Sequence, residues 1–251
     1  HARSQGPVVI TGNLREFSRV PGLRCEDWIA EADLPRLDLR SFGLSDFRVT
    51  NACWPGNVTA GAGDDAISVT PGAFTGVGGI NITGGDPTAS DTVTVTGTTG
   101  ADTVTIDNLT LDGARVTGLS ATVTVTSTEH LLYSGQGGND ALTVTTPAGG
   151  QVITLTPGTL AGEGSIAPRN FNAGGGNPLL PIGFTGINST GMLSFTDVGG
   201  TRVDDLTIYG TAESNIFGVS ATGVVTQDSQ SAGGTTATRL LTTSTRLVWG
   251  A

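Results

Sequence analysis

A chain of 251 residues is long enough to bury a continuous core, yet only 14% of it is charged and 5% aromatic, while glycine supplies 39 positions and threonine 40. That mixture suits many short strands and turns and argues against helical bundles. All 12 basic residues are arginine and the net charge is −10, so nucleic acid and anionic membrane surfaces, which would repel the chain, are disfavoured as partners, whereas cations are favoured.

The sequence opens at His1 and its single methionine is Met192, which reads as a processed or trimmed product. No run approaches the roughly 18 apolar residues of a membrane span. Composition changes near residue 55: residues 1–55 hold seven of the arginines, seven acids and two threonines, so the whole charge of −10 belongs to residues 56–251. The first part offers a strand candidate at Val8 to Thr11. It then gives CEDWIAEAD, with Trp28, Ile29 and Ala32 at helical spacing and Pro35 as a stop. It reads as a small mixed cap or attachment segment. Cys25 and Cys53 are the only cysteines; they fit one disulfide in an oxidising compartment, with two buried free thiols as the alternative. Two cysteines are too few for a four-ligand zinc site.

From Gly61 onward the chain repeats itself, and self-similarity outranks local propensity. The phrase Asp-x-apolar-x-apolar occurs as DAISV at Asp65, DTVTV at Asp91, DTVTI at Asp102, DALTV at Asp140 and DDLTI at Asp204, with NIFGV at Asn215. Side chains alternate between the faces of a strand, so Val93, Val95, Val104 and Ile106 are predicted to point into a core and Thr92, Thr94, Thr103 and Thr105 outward. Glycine-rich turns precede most copies. A longer period is present too: Asp91 to Asp204 and Asp102 to Asn215 both span 113 residues. Residues 161–181 show no strand pattern and read as a long loop. Strand character returns in TRLLTTSTRLVWG, residues 238–250, which is suited to covering an open end.

The stretches GAGDDAISV, GTTGADTVTI and GQGGNDALTV resemble degenerate hemolysin-type repeats of secreted and cell-surface bacterial proteins, over about residues 61–219. The resemblance implies stacked β coils, sometimes with calcium in the turns. The calcium-binding form needs Gly-Gly-x-Gly-x-Asp units in tandem every nine residues or so; here the phrases stand further apart and most turns lack the full glycine set.

Asp65, Asp91, Asp102, Asp140 and Asp204 all sit where a turn enters a strand. Calcium needs six to eight converging oxygens, so these five are the candidate calcium ligands. The alternative is that each carboxylate accepts hydrogen bonds from turn amides. With two histidines, His1 and His130, and no lysine, acid–base chemistry would fall to the pairs Asp64/Asp65 and Asp204/Asp205. Adjacent residues on a strand face opposite ways, which weakens both pairs. No nucleophile elbow, phosphate loop or zinc-protease motif occurs. Asn57, Asn81, Asn108 and Asn188 head Asn-x-Thr sequons.

The sequence therefore predicts an all-β protein: a parallel β-solenoid over residues 56–251 with a small mixed N-terminal cap over residues 1–55. A β-sandwich array is the alternative, since antiparallel strands share the same alternation. The expected function is structural, as a surface-layer, fibre, adhesin or accessory subunit of an extracellular assembly, without turnover and with self-association or sister subunits as partners. A carbohydrate-active or carbohydrate-binding module is the alternative.

Overall fold

The structure, a computed structural model, describes residues 8–10, 24–26, 37–38, 46–50, 56–71, 79–86, 90–170, 176–188, 191–198, 204–210, 214–219, 224–231, 234–242 and 245–249. These residues form twenty-two strands and no α-helix. The strands are β1 (Val8–Ile10), β2 (Arg24–Glu26), β3 (Leu37–Asp38), β4 (Asp46–Thr50), β5 (Asn57–Gly61), β6 (Ala66–Thr70), β7 (Ile80–Gly85) and β8 (Thr92–Thr96). There follow β9 (Thr103–Thr110), β10 (Gly113–Thr117), β11 (Val123–Thr126), β12 (His130–Ser134), β13 (Ala141–Thr146), β14 (Gln151–Pro157) and β15 (Gly164–Asn170). The last are β16 (Ile182–Thr185), β17 (Met192–Asp197), β18 (Asp204–Ile208), β19 (Ser214–Val219), β20 (Val224–Ser231), β21 (Gly234–Thr242) and β22 (Thr245–Trp249).

Apart from the small β1–β2 pair, the strands build two mixed sheets. From β3 to β8 the chain alternates between them: β3, β5 and β7 enter an eleven-stranded sheet, and β4, β6 and β8 a nine-stranded one, each strand parallel to the one two before it. Then it leaps. β9 lies three places beyond β7; β10 returns antiparallel beside it, and β11 closes the gap parallel to β7. The same excursion recurs in the nine-stranded sheet with β14, β15 and β16, and in the eleven-stranded sheet with β19, β20 and β21. Excursions start five strands apart and alternate between sheets, so like meets like only after ten strands. The 113-residue step from Asp102 to Asn215 runs from the start of β9 to β19.

Parallel pairing in register stacks like residues on like. Ile67, Val93, Leu131 and Ile182 form one inward row, and Val69, Val95, Tyr133 and Phe184 the next. Opposite them run Val104, Leu142 and Leu193, and Ile106, Val144 and Phe195. All of these are buried in one apolar cluster shared by both sheets. Thr92, Thr94 and Thr105 are half-buried and Thr103 is exposed, so the inward valines and outward threonines lie as their alternation predicts. β-Branched side chains suit such stacked pleats.

Two expectations need correction. Residues 161–181 are not all loop: β15 pairs antiparallel with β14 from Gly164 to Asn170 and with β16 from Gly164 to Ile166. Its alternation is weak in sequence because only Ile166 and Pro168 point inward. The proposed helix does not include Cys25 and Glu26, which lie in β2; residues 27–36 and Cys53 fall outside the described residues, as do the side chain of Cys25 and hence the disulfide. The compositional change near residue 55 interrupts neither sheet, since β3 and β4 pair with β5 and β6. In the C-terminal segment, β22 is the outermost strand of the nine-stranded sheet, whereas β21 lies inside the other.

Candidate functional site

The five aspartates are not brought together. They divide between the two sides of the stack where the chain crosses from sheet to sheet. Asp65 and Asp91 precede β6 and β8, where the chain leaves the eleven-stranded sheet; Asp102 and Asp140 precede β9 and β13, where it returns. Asp204 begins β18 and its side chain lies outside the described residues. Among the described residues no three acidic, histidine or cysteine side chains gather closely enough to form a metal cage.

At the Asp102–Asp140 side every carboxylate oxygen has a donor. Asp102 folds back over its own turn: the Thr98 amide donates to Oδ2 at 2.6 Å and the Thr98 hydroxyl to Oδ1 at 2.9 Å. Asp140, fully buried, reaches the neighbouring crossing, where its Oδ1 accepts the Asp102 amide at 2.9 Å. Its Oδ2 accepts the hydroxyl of buried Tyr133 at 3.1 Å. Both carboxylates occupy the space that a side chain would need on the glycine five residues earlier. A Cβ on Gly97 would stand 2.6 Å from Asp102 Oδ2, and one on Gly135 would collide with Asp140 Oδ2. The phrase Gly-x-x-x-x-Asp is thus a packing unit as well as a turn. Sequence reasoning missed Tyr133, although a tyrosine at an inward position needs a polar partner, and the nearby GQGGND turn supplies one.

The other side is wired in the same sense but less completely. The Asp65 amide donates to Asp91 Oδ1 at 2.8 Å, the Asp91 amide to Glu129 Oε2 at 2.8 Å, and the Ser90 amide to Asp64 Oδ1 at 2.9 Å. Glu129 takes the place of an aspartate before β12 and was not a sequence candidate. Asp65 Oδ2 and Asp91 Oδ2 are buried and have no hydrogen-bond partner.

Electrostatics follow from this geometry. Burial raises the carboxyls of Asp65, Asp91 and Asp140 above the usual 3.8; at Asp91 the Asp65 amide works against this, and Glu129, Asp65 and Asp64 add to it. Burial beside Asp140 likewise pushes the Tyr133 phenol upward. A carboxyl whose folded value is raised binds a proton more readily folded than unfolded, so the stability it contributes is full below about pH 3.8 and is lost as pH climbs through the folded value. The Tm of the wild type should therefore fall as pH rises through that window, and Asp140→Asn should flatten the slope. An unchanged slope in a thermal melting series would show that Asp140 does not titrate there.

Of the sequons, Asn108 is buried and donates to the Leu180 carbonyl at 2.7 Å, whereas Asn57 and Asn81 are exposed, the Asn81 amide donating to Asn57 Oδ1 at 3.0 Å. Arg115 pairs with Asp107 at 2.6 Å on the outer face of β9–β10; a pair so exposed contributes little.

No protein-family model and no solved structure matches the chain. Short stretches of the chain are similar to curated ribonucleases. The tRNA(fMet)-specific endonuclease VapC of Salmonella typhimurium is 68% identical over 28 residues, 11% of this chain and 21% of that protein. The Haemophilus influenzae ribonuclease VapC2 is 55% identical over 29 residues, 12% of this chain and 22% of that protein. The chain thus spans about a fifth of the length of the curated relatives it matches.

Proposed function

We propose that this chain is an extracellular structural subunit, a β-solenoid with a small N-terminal cap closed by a Cys25–Cys53 disulfide, which acts by assembly and has no turnover of its own. The observation that carries this reading is the polarity of the terminal strands. Following the pairings across the eleven-stranded sheet, β3 and β19 run in the same direction; across the nine-stranded sheet, so do β4 and β22. A second copy stacked head to tail on either of these edges would extend that sheet with parallel pairing. Such a heterologous contact does not close on itself, and open strand edges template it. The carboxylates fit this reading: Asp102 and Asp140 tie one crossing to the next. Ribonuclease activity has little support, because the match spans about a fifth of those enzymes and a net charge of −10 repels a phosphate backbone.

The full chain should grow in size with concentration in sedimentation velocity, and electron microscopy should show elongated particles. Prolines at Thr245 and Leu247, whose amides face away from β18, are tolerated on an edge strand but unable to donate to a neighbour, and should suppress that growth while leaving the β circular dichroism intact. A full-length protein that stays monomeric at high concentration would sink the assembly reading. Polysaccharide cleavage lost on Asp204→Asn would replace it with the carbohydrate-active one.

A further inference from the structure

An ordinary crossing adds one strand to a sheet and an excursion adds three, so the sheet that holds an excursion moves two strands ahead of the other. The excursion of β14, β15 and β16 in the nine-stranded sheet makes up for that of β9, β10 and β11 in the eleven-stranded one. That of β19, β20 and β21 is not matched. The two sheets therefore start together, at β3 and β4, and end unevenly: β20 and β19 stand beyond the level at which the nine-stranded sheet stops with β22. A sheet buries its inner face against a second layer. Among the described residues no strand lies beyond β22, so β20 and β19 lack that layer. Register carries the row of Leu193 through Leu240 and Val225 to Val219, and Phe217 of β19, half-buried, packs against the core.

The start of the chain holds two strands to spare. β1 and β2 belong to neither large sheet; they pair in parallel with each other, from Val8 with Arg24 to Ile10 with Glu26. From β3 to β8 the chain alternates between the sheets, each strand parallel to the one two before it. Carried one step back, that alternation places β2 in the nine-stranded sheet beside β4, with β1 next to it, one place further out. The ten residues between Glu26 and Leu37 reach up to about 33 Å when extended, ample for the roughly 10 Å between packed sheets.

We propose that β1 and β2 of a second copy take the two places missing from the nine-stranded sheet, adding to the free edge of β22 by strand augmentation and covering β20 and β19. Resting on the assembly reading above, this joint adds which segment of one copy meets which face of the next. Count and polarity agree with it. The overhang is two strands deep, and the pair supplies two. β4 and β22 run in the same direction and β1 and β2 are parallel, so the pair, set between β22 of one copy and β4 of the next, leaves every joint parallel. The incoming β3 then stands beside β19 while β4 stands beside β2, and both sheets continue. Without the pair, β4 seated directly on β22 would drive β3 into the place that β20 holds.

The test uses the full chain and compares amide hydrogen exchange in dilute solution with that in the concentrated, grown state. Exchange at residues 8–10 and 24–26 should slow on assembly together with that of Thr245 and Leu247, whose amides face away from β18. Phe217→Ser, in the overhang, and Val9→Pro, which removes an amide from one flank of β1, should each raise the concentration of half-assembly at least about tenfold, as loss of an interface anchor does. Both should keep the β circular dichroism of the wild type. Should Phe217→Ser fail to fold, Val9→Pro and the exchange pattern decide alone. A wild type that is monomeric at every concentration would overturn the assembly reading and this joint with it. Growth that survives Val9→Pro, with residues 8–10 and 24–26 exchanging as fast in the assembly as in the monomer, would overturn the joint and leave assembly standing. So would growth lost in Phe217→Ser but unchanged in Val9→Pro, because another part of the second copy would then fill the overhang.

Discussion

Replacing Val104 by Asp should destabilise the protein by more than about 4 kcal/mol, the range reserved for a buried, unpaired charge. In a chain of this size that is a fall in Tm of about 10 °C or more. Val104 is fully buried, with Leu142 beside it on β13 and Leu193 one strand further on β17. No arginine or polar donor belongs to that row, so a carboxylate there would either ionise without a partner or be held neutral at comparable expense. Thr105→Asp, one residue along on the half-buried outer face, should cost less than about 1 kcal/mol, as surface changes usually do. Equal shifts in thermal melting for the two variants would mean that the register of β9 is inverted.

The second large effect is expected at Asp140. Truncation to Ala leaves the Asp102 amide and the buried Tyr133 hydroxyl without acceptors. Each buried donor left unmatched costs about 1–3 kcal/mol, and the relief of removing a buried carboxylate offsets part of the sum, so a loss of about 2–4 kcal/mol is expected. Tyr133→Phe removes one of the same two hydrogen bonds and should cost about 1–2 kcal/mol. The double variant should lose less than the two singles added together, because they share one interaction. Strict additivity in denaturant melts would mean that the hydroxyl and the carboxylate do not meet.

Much of this fold was legible in the sequence, and for a definite reason. Strand alternation is a local property, and DTVTV and DTVTI announce it within five residues each; the inward rows follow directly. Pairing is not local. Asp65 meets Asp91 across 26 residues, and Asp102 meets Asp140 across 38. Nothing within either phrase says which later aspartate will lie beside it. For the same reason the aspartates could be placed at turn-to-strand junctions but not assigned partners, and Glu129 and Tyr133 went unnoticed as members of the same corners. β15 was missed because Pro168 and a lone Ile166 give too faint an alternation, although its antiparallel place beside β14 needs only a hairpin.

The leap from β8 to β9 has a consequence for how the stack can be built or cut. When β9 is laid down, its place beside β7 does not yet exist; two positions stay empty until β10 and β11 arrive. A chain ending after β9 or β10 would carry a strand with no neighbour on that flank. One ending after β8 would present a continuous edge. Growth therefore proceeds in blocks, and only a few lengths are self-consistent. Truncations near residue 97 should give folded products with one continuous open edge, whereas those near residue 111 should leave β9 without its neighbours and aggregate more strongly. Natural variation in length, by the same logic, should come in whole excursions rather than single strands.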